Sequence, residues 1–370
     1  MATSALIFIG FQTPPDNLYF SMTRRAIVNF ARVGDLVLAT PLLRHIARSG
    51  PLHLVCRSWG QPLLSHEPWL AGVHGVRNPN RGWLASQVIG NELDSVSAEL
   101  ARCGVEELLV FANERPTIVD ALRRHLPEVR VTQIPMALKG MHKVDAVSEQ
   151  LTSAGFKLDD YDAIPLVTVP NAQRVTAVAK VAAVGQRVLA IQAGSSLTHR
   201  WLRRRPNHKG LSATQWAALI DALLQRGDVE GVVLLGSAPE GREARAIQQA
   251  TRPHLRSKVI DWTGCIGLGE LPAILAACTA TVSVDTGPAH IAAAVGCPLL
   301  VVFGPSDPRI FSPRGPGLIE VVLGQAPCQF CLGTKAMREC RANVCLTSLP
   351  TATLLSAWDR LLGCITAQMH

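Results

Sequence analysis

The sequence predicts an α/β protein made of two parallel-sheet halves, and three observations carry that expectation. Short apolar runs alternate with amphipathic stretches from residue 26 onward. The alternation lapses at residues 161–170 into Asp, Pro and β-branched residues. Each strand-like run of the second half ends on small or polar residues, the end at which open parallel sheets bind ligands.

In the first half, strands are expected at 26–30, 52–57, 107–111 and 129–134, with helices at 36–48, 117–125 and 144–154. An alanine-rich helix at 172–184 follows the lapse. The second half is more regular, with strands at 188–192, 232–235, 258–261, 281–284 and 299–303. Helices are expected between them at 213–226, 240–250, 270–278 and 288–295. A last helix at 351–362 is expected to pack back towards the first domain. The resulting division is 22–170, 171–349 and 350–370. Residues 1–21 include Leu6-Ile7-Phe8-Ile9 but neither a basic start nor a small-residue cleavage site, and read as an extension outside the fold.

With 370 residues, 48% apolar and 17% charged, the chain can bury one large core or two ordinary ones, which excludes a disordered tail or a disulfide-stapled miniprotein. Arg, Pro or Gly breaks every apolar run before the roughly 20 residues a membrane-crossing helix needs. Lys and Arg number 36 against 28 Asp and Glu, a formal charge of +8, which suits phosphorylated partners and anionic headgroups. Aromatic residues make up only 5%, and no helix-turn-helix or zinc finger is legible, so nucleic acid is not expected as a partner. Ten cysteines without a leader point to reduced thiols in a cytoplasmic compartment. Motifs for dinucleotides, a phosphate-binding P-loop, serine hydrolases and zinc proteases are absent from the sequence.

Several turns could carry chemistry. Val282-Ser283-Val284-Asp285-Thr286-Gly287-Pro288-Ala289-His290 reads as a strand, a turn and a helix start. Backbone N–H groups of Thr286 and Gly287 would favour a phosphate there, while the Asp285 carboxylate suits sugar hydroxyls. The same residues also read as a plain helix cap. The other strand ends, Gly194-Ser195-Ser196, Gly236-Ser237 and Thr263-Gly264, are candidates for the same ligand. Between Ser196 and Lys209 lies a basic stretch, His199-Arg200-Trp201-Leu202-Arg203-Arg204-Arg205, suited to a polyanion. At the first strand-to-helix turn, Gly34 permits a tight backbone and Asp35 either caps the helix or takes a proton from a hydroxyl. Cys328, Cys331, Cys340 and Cys345 are spaced so that they could close a structural zinc or iron site; plain thiols are the other reading. Cys56, Cys103, Cys265, Cys278, Cys297 and Cys364 read as small core residues, and His45 and His125 as fillers.

Gly34-Asp35 with Thr40-Pro41-Leu42-Leu43-Arg44, the Asp285-Thr286-Gly287-Pro288-x-His290 turn, and Phe303-Gly304-Pro305-Ser306-Asp307-Pro308 together resemble the family 9 glycosyltransferases, the lipopolysaccharide heptosyltransferases. The similarity runs over most of residues 26–361. It implies a GT-B architecture, two Rossmann-like domains facing each other across a cleft. It also implies an inverting, metal-independent transfer of heptose from ADP-heptose to a sugar hydroxyl of the lipopolysaccharide inner core, with no cofactor required for catalysis. On this resemblance Asp35 is the general base, with Gly34 and Arg32 beside the acceptor. Lys209 contacts donor phosphate, Glu240 is an acidic donor-site residue, and Asp285, Thr286, Gly287 and His290 form the donor turn. The acceptor would be a phosphorylated, lipid-linked glycan met by a cytoplasmic protein peripheral at the inner membrane. The chain departs from the family where Lys209-Gly210-Leu211-Ser212 replaces Lys-x-Trp-Pro after an arginine-rich insertion, and Arg200-Trp201 competes for that match. Two alternatives stand beside this reading: a heptosyltransferase with a protein or other glycan acceptor, and a non-catalytic nucleotide-sugar-binding protein.

Overall fold

The structure, a computed structural model, describes residues 22–77, 83–136, 140–195 and 209–368, with only the backbone of 83–89 and 368. Two wholly parallel sheets organise the chain. The first contains β1 (Arg25–Asn29), β2 (Leu52–Arg57), β3 (Gly72–Val76), β4 (Glu107–Phe111) and β5 (Arg130–Ile134), in the order β3-β2-β1-β4-β5. The second contains β6 (Val188–Gln192), β7 (Gly231–Leu235), β8 (Val259–Asp261), β9 (Ala280–Val284), β10 (Leu299–Phe303) and β11 (Ile319–Leu323), in the order β11-β10-β9-β6-β7-β8. In each sheet the chain runs outward to one edge and then returns to the middle. The reversal opens a crevice at the carboxyl ends of β1 and β4 in the first sheet and of β6 and β9 in the second.

The second sheet is legible because helices cover both of its faces. Every residue of β6, β7, β9 and β10 is buried, so these strands appear in the sequence as unbroken apolar runs. The helix Ala213–Arg226 lies against this sheet. Ser212 and Gln215 close a capping box at its start, and Gly227 at φ 74° ends it.

Four features depart from expectation. The helix expected at 36–48 is two helices, Val33–Leu38 and Thr40–Ala47. Pro41 in the first turn of the second lacks an N–H, and the Thr40 hydroxyl donates to the Val37 carbonyl at 2.8 Å. β3, β11 and the helix Trp83–Arg102 were not expected. β3 carries two glycines, and β11, an edge strand with only Val322 buried, has its apolar residues split by Glu320. The C-terminal helix Thr351–Gln368 does not pack on the first domain; it lies on the second sheet. Its Leu354, Ala357, Trp358 and Leu361 are buried with Leu219, Leu223 and Val322, and the Trp358 indole donates to Asp228 at 3.0 Å. Finally, Cys56, Cys278 and Cys297 are core residues as expected, but Cys103 is only half-buried, and Cys265 and Cys364 are exposed. Among the described residues no helix is long and apolar enough to cross a membrane.

Candidate active site

The two crevices meet through the helices that leave them. Val33–Leu38 follows β1, Gly287–Ala294 follows β9, and glycine is required on both sides of the contact. A Cβ on Gly34 would lie 2.5 Å from His290 Cδ2, and one on Gly287 would lie 2.8 Å from Val33 Cβ. Gly34→Ala must therefore push the two domains apart or turn the His290 ring. Its expected effect is a roughly tenfold drop in kcat/KM with secondary structure unchanged, about 1.4 kcal/mol of transition-state stabilisation, read by steady-state kinetics and circular dichroism.

Asp35 sits in the first turn of Val33–Leu38, whose N-cap is Arg32, so the carboxylate does not cap the helix. It lines a cavity of about 280 Å³ together with Asn29, Phe30, Phe111, Met136 and Lys143. Lys143 Nζ lies 3.2 Å from Asp35 Oδ1 and holds the carboxylate in place. Arg32, expected beside the acceptor, is exposed and is not among the residues lining this cavity. Deeper in the cavity, Arg57 donates to the Phe30 carbonyl at 2.8 Å. Burial raises the Glu114 pKa, against the lowering effects of the Phe30 amide, Arg57 and Arg115.

Lys143, Arg57, Arg115 and Glu114 escaped the sequence reading. Arg57 ends a strand that was expected, so the rule placing ligands at strand carboxyl ends would have flagged it. Lys143 has no such signal; its position comes from a latch between the domains. His142 Nδ1 accepts from the Val144 amide at 3.1 Å, which leaves Nε2 to donate to the Ser312 carbonyl at 2.9 Å. Arg314 pairs with Asp145, with Nη2 2.8 Å from Oδ2. Lys143 lies between these two anchors.

On the opposite side, Lys209 Nζ lies 2.5 Å from Asp285 Oδ2, and both side chains are about nine-tenths buried. Thr286 is the N-cap of Gly287–Ala294 but makes no side-chain capping bond, so the plain-cap reading of this turn is not realised by hydrogen bonds. Glu240 is buried between the ends of β6 and β7. Its Oε2 accepts from the Ser237 amide at 2.6 Å and hydroxyl at 2.7 Å, and its Oε1 from Gln192 at 3.1 Å. A Cβ on Gly194 would fall 2.5 Å from Glu240 Oε1, so that turn closes directly on the carboxylate. Gly236, at φ +154°, accepts from the Gly264 amide at 2.8 Å, and Thr263 folds onto Asp261 through its hydroxyl at 2.6 Å. Ser195 is buried next to Gly194. The structure thus gathers Gly194, Ser195, Gly236, Ser237, Glu240, Thr263 and Gly264 at one rim, beside Lys209 and the Asp285–Gly287 turn. Ser196 and the basic stretch to residue 208 lie outside the described residues.

His290 is buried where Asp285, Asp35 and Lys209 all act on it. Burial, the largest cause, holds its pKa down at about 4 against the raising effects of Asp285 and Asp35. An unfolded histidine takes up its proton near pH 6.5, so between about 6.5 and about 4 the unfolded chain binds a proton that the folded chain does not. Stability therefore falls as pH drops through that window. On going from about pH 7 to about pH 5, His290 alone is expected to cost about 2 kcal/mol. Urea unfolding should show His290→Gln losing correspondingly less stability than the parent over the same step. Burial lowers His142 and His53 as well, so part of the acid sensitivity remains in the variant.

The four C-terminal cysteines share one neighbourhood. Burial first, then Cys331, Cys328 and Cys340, push the Cys345 thiol up to about 11. Among the described residues no three His, Cys, Asp or Glu side chains are placed to hold a metal ion. Cys345 is turned inward, with its thiol on Asn343 Oδ1 at 3.4 Å, Cys340 Sγ accepts from the Asn343 amide at 3.3 Å, and Cys328 is exposed. None of the four is in a disulfide.

The family model Glycosyltransferase family 9 (heptosyltransferase) matches residues 157–341, half of the chain. Lipopolysaccharide heptosyltransferase 3 of Escherichia coli is 24% identical over 354 residues, covering 89% of this chain and 96% of that protein. Among solved structures, the family 9 glycosyl transferase from Veillonella parvula superposes with a TM-score of 0.73 at 16% identity, over 94% of this chain and 99% of that one. The Escherichia coli ADP-heptose lps heptosyltransferase II superposes with a TM-score of 0.69 at 16% identity, over 92% and 98%. Both superpositions span the two sheets, so the fold is GT-B, and the chain belongs to glycosyltransferase family 9, the heptosyltransferases.

Proposed function

We propose that the protein transfers heptose from ADP-heptose to a sugar hydroxyl of the lipopolysaccharide inner core, with inversion and without a metal ion. One observation carries this reading most directly. Asp35 on the first domain and the Lys209–Asp285 pair on the second act on the same buried imidazole of His290, so a carboxylate and a phosphate-type cation flank one cleft. In the reaction the acceptor hydroxyl gives its proton to the Asp35 carboxylate as its oxygen bonds to the anomeric carbon. The bond from that carbon to the diphosphate breaks on the opposite face, and ADP leaves with the electron pair. Lys209 and the amides opening Gly287–Ala294 stabilise the charge that develops on the diphosphate.

Gly194, Ser195, Gly236, Ser237, Glu240, Thr263 and Gly264 are the residues proposed to shape the nucleotide-sugar site. The Asp35 cavity takes the acceptor, with Arg57, Arg115 and Lys143 supplying cations to a phosphorylated glycan. The excess of basic residues suits work at an anionic inner-membrane surface from the cytoplasm. The names of the relatives supply the donor and the glycan class. The test is mass spectrometry of products after incubation with a panel of sugar nucleotides and truncated lipopolysaccharides, with and without a chelator. The expected product is the acceptor plus one heptose from ADP-heptose alone, with the chelator making no difference. Binding of ADP-heptose without any product on any acceptor would overturn the enzyme reading.

A further inference from the structure

At the opposite end of the first sheet from Asp35 is a larger cavity, of about 610 Å³, that the transfer reaction does not use. It opens at the starts of three neighbouring strands: Arg25 begins β1, Glu107 begins β4 and Arg130 begins β5, in register side by side. Strands of this length put it roughly 15 Å from the cleft, at about 3.3 Å per residue. The volume is in the range of small-molecule sites, about 300–1,000 Å³.

Its floor is built rather than incidental. Glu107 is buried and accepts from Arg25 at 2.7 Å, Arg130 at 3.0 Å and the Thr132 hydroxyl at 2.6 Å. Burial opposes its ionisation, but the bonds from Arg130, Thr132 and Arg25 prevail and hold its carboxyl at about 2. The carboxylate thus anchors two guanidinium groups. Arg48 and Lys157 add two more cations to the wall, against Asp159 as the only other carboxylate lining it among the described residues. Four cations against two carboxylates leave an excess of positive charge facing the cavity.

His45 supplies an independent sign of a ligand. It lines the cavity, is nine-tenths buried, and its Nδ1 has no hydrogen-bond partner. Its Nε2 lies 2.5 Å from the Lys157 carbonyl, an acceptor, so Nε2 carries the proton and Nδ1 is a bare acceptor in the neutral ring. A buried acceptor without a donor costs about 1–3 kcal/mol, and a ligand hydroxyl would satisfy it.

We propose that this cavity binds a phosphorylated polyol, its phosphate against Arg48 and Lys157 and a hydroxyl on His45 Nδ1. The same chemistry is presented by a soluble polyol phosphate and by a phosphatidylglycerol headgroup. Calorimetry of the full-length protein with glycerol phosphate tests the first source. Co-sedimentation with phosphatidylcholine vesicles, with and without phosphatidylglycerol, tests the second. Binding is expected in at least one arm and should weaken tenfold or more in Arg48→Ala/Lys157→Ala, with donor affinity unchanged. Both substitutions leave the Glu107 pairs intact. His45→Phe should lower the preference for glycerol phosphate over inorganic phosphate, or for phosphatidylglycerol over another anionic lipid without free hydroxyls. Failure of both probes to bind, or equal binding by the double variant, overturns the proposal. Neither result bears on the transfer reaction, because no residue tested lies in the cleft.

Discussion

Asp35→Asn is expected to lower turnover by about 10²–10⁴-fold, the usual contribution of a positioned general base, while donor affinity stays within twofold. The substitution keeps the size of the side chain and its place in the first turn of Val33–Leu38, so neither packing nor the contact of Gly34 with His290 changes. It removes the proposed proton acceptor and the ion pair with Lys143. Lys143→Met separates these two losses. If Lys143 only orients the carboxylate, that variant should lose about tenfold, roughly 1.4 kcal/mol, and retain the pH profile of the parent. Single-turnover kinetics with calorimetry on the donor reads both. An Asp35→Asn enzyme as fast as the parent would remove the base from the mechanism.

Lys209→Met should fail in two distinct ways. Removing one partner of a buried pair leaves Asp285 charged and alone, at a cost of about 3–5 kcal/mol in stability. Removing the cation proposed to face the diphosphate should lower turnover by about 10²–10³-fold, the scale seen for loss of one transition-state donor. The double variant Lys209→Met/Asp285→Asn distinguishes these effects, since it removes both charges together. Its urea midpoint should recover most of the loss, whereas its turnover should not. Recovery of turnover along with stability would make Lys209 a structural cation only.

How much of this was legible in the sequence depended on which faces were buried. β6, β7, β9 and β10 are covered on both sides, so the second sheet could be read almost strand by strand. β3 and β11 are partly buried edge strands and both were missed: two glycines interrupt β3, and Glu320 splits the apolar residues of β11. The roles expected of Lys209 and Glu240 came from the resemblance to the family 9 glycosyltransferases. Asp35 and the Asp285–Gly287 turn were singled out because local chain chemistry marks them: a tight glycine, a strand end, a helix start. Lys143 and His142 were not, because their role depends on which loop of the other domain they meet, and no local pattern records that Ser312 and Arg314 lie opposite.

The seating of Thr351–Gln368 on the second sheet sets how the molecule can come apart. Within the described residues, the polypeptide passes from one lobe to the other a single time, along the stretch where Thr168 binds Glu67 and the Val167 amide reaches the Ala294 carbonyl. Each lobe is therefore one uninterrupted piece of chain. Amide exchange should resolve two blocks of protection with a boundary near residue 165, and the lobes can swing apart without unthreading any segment.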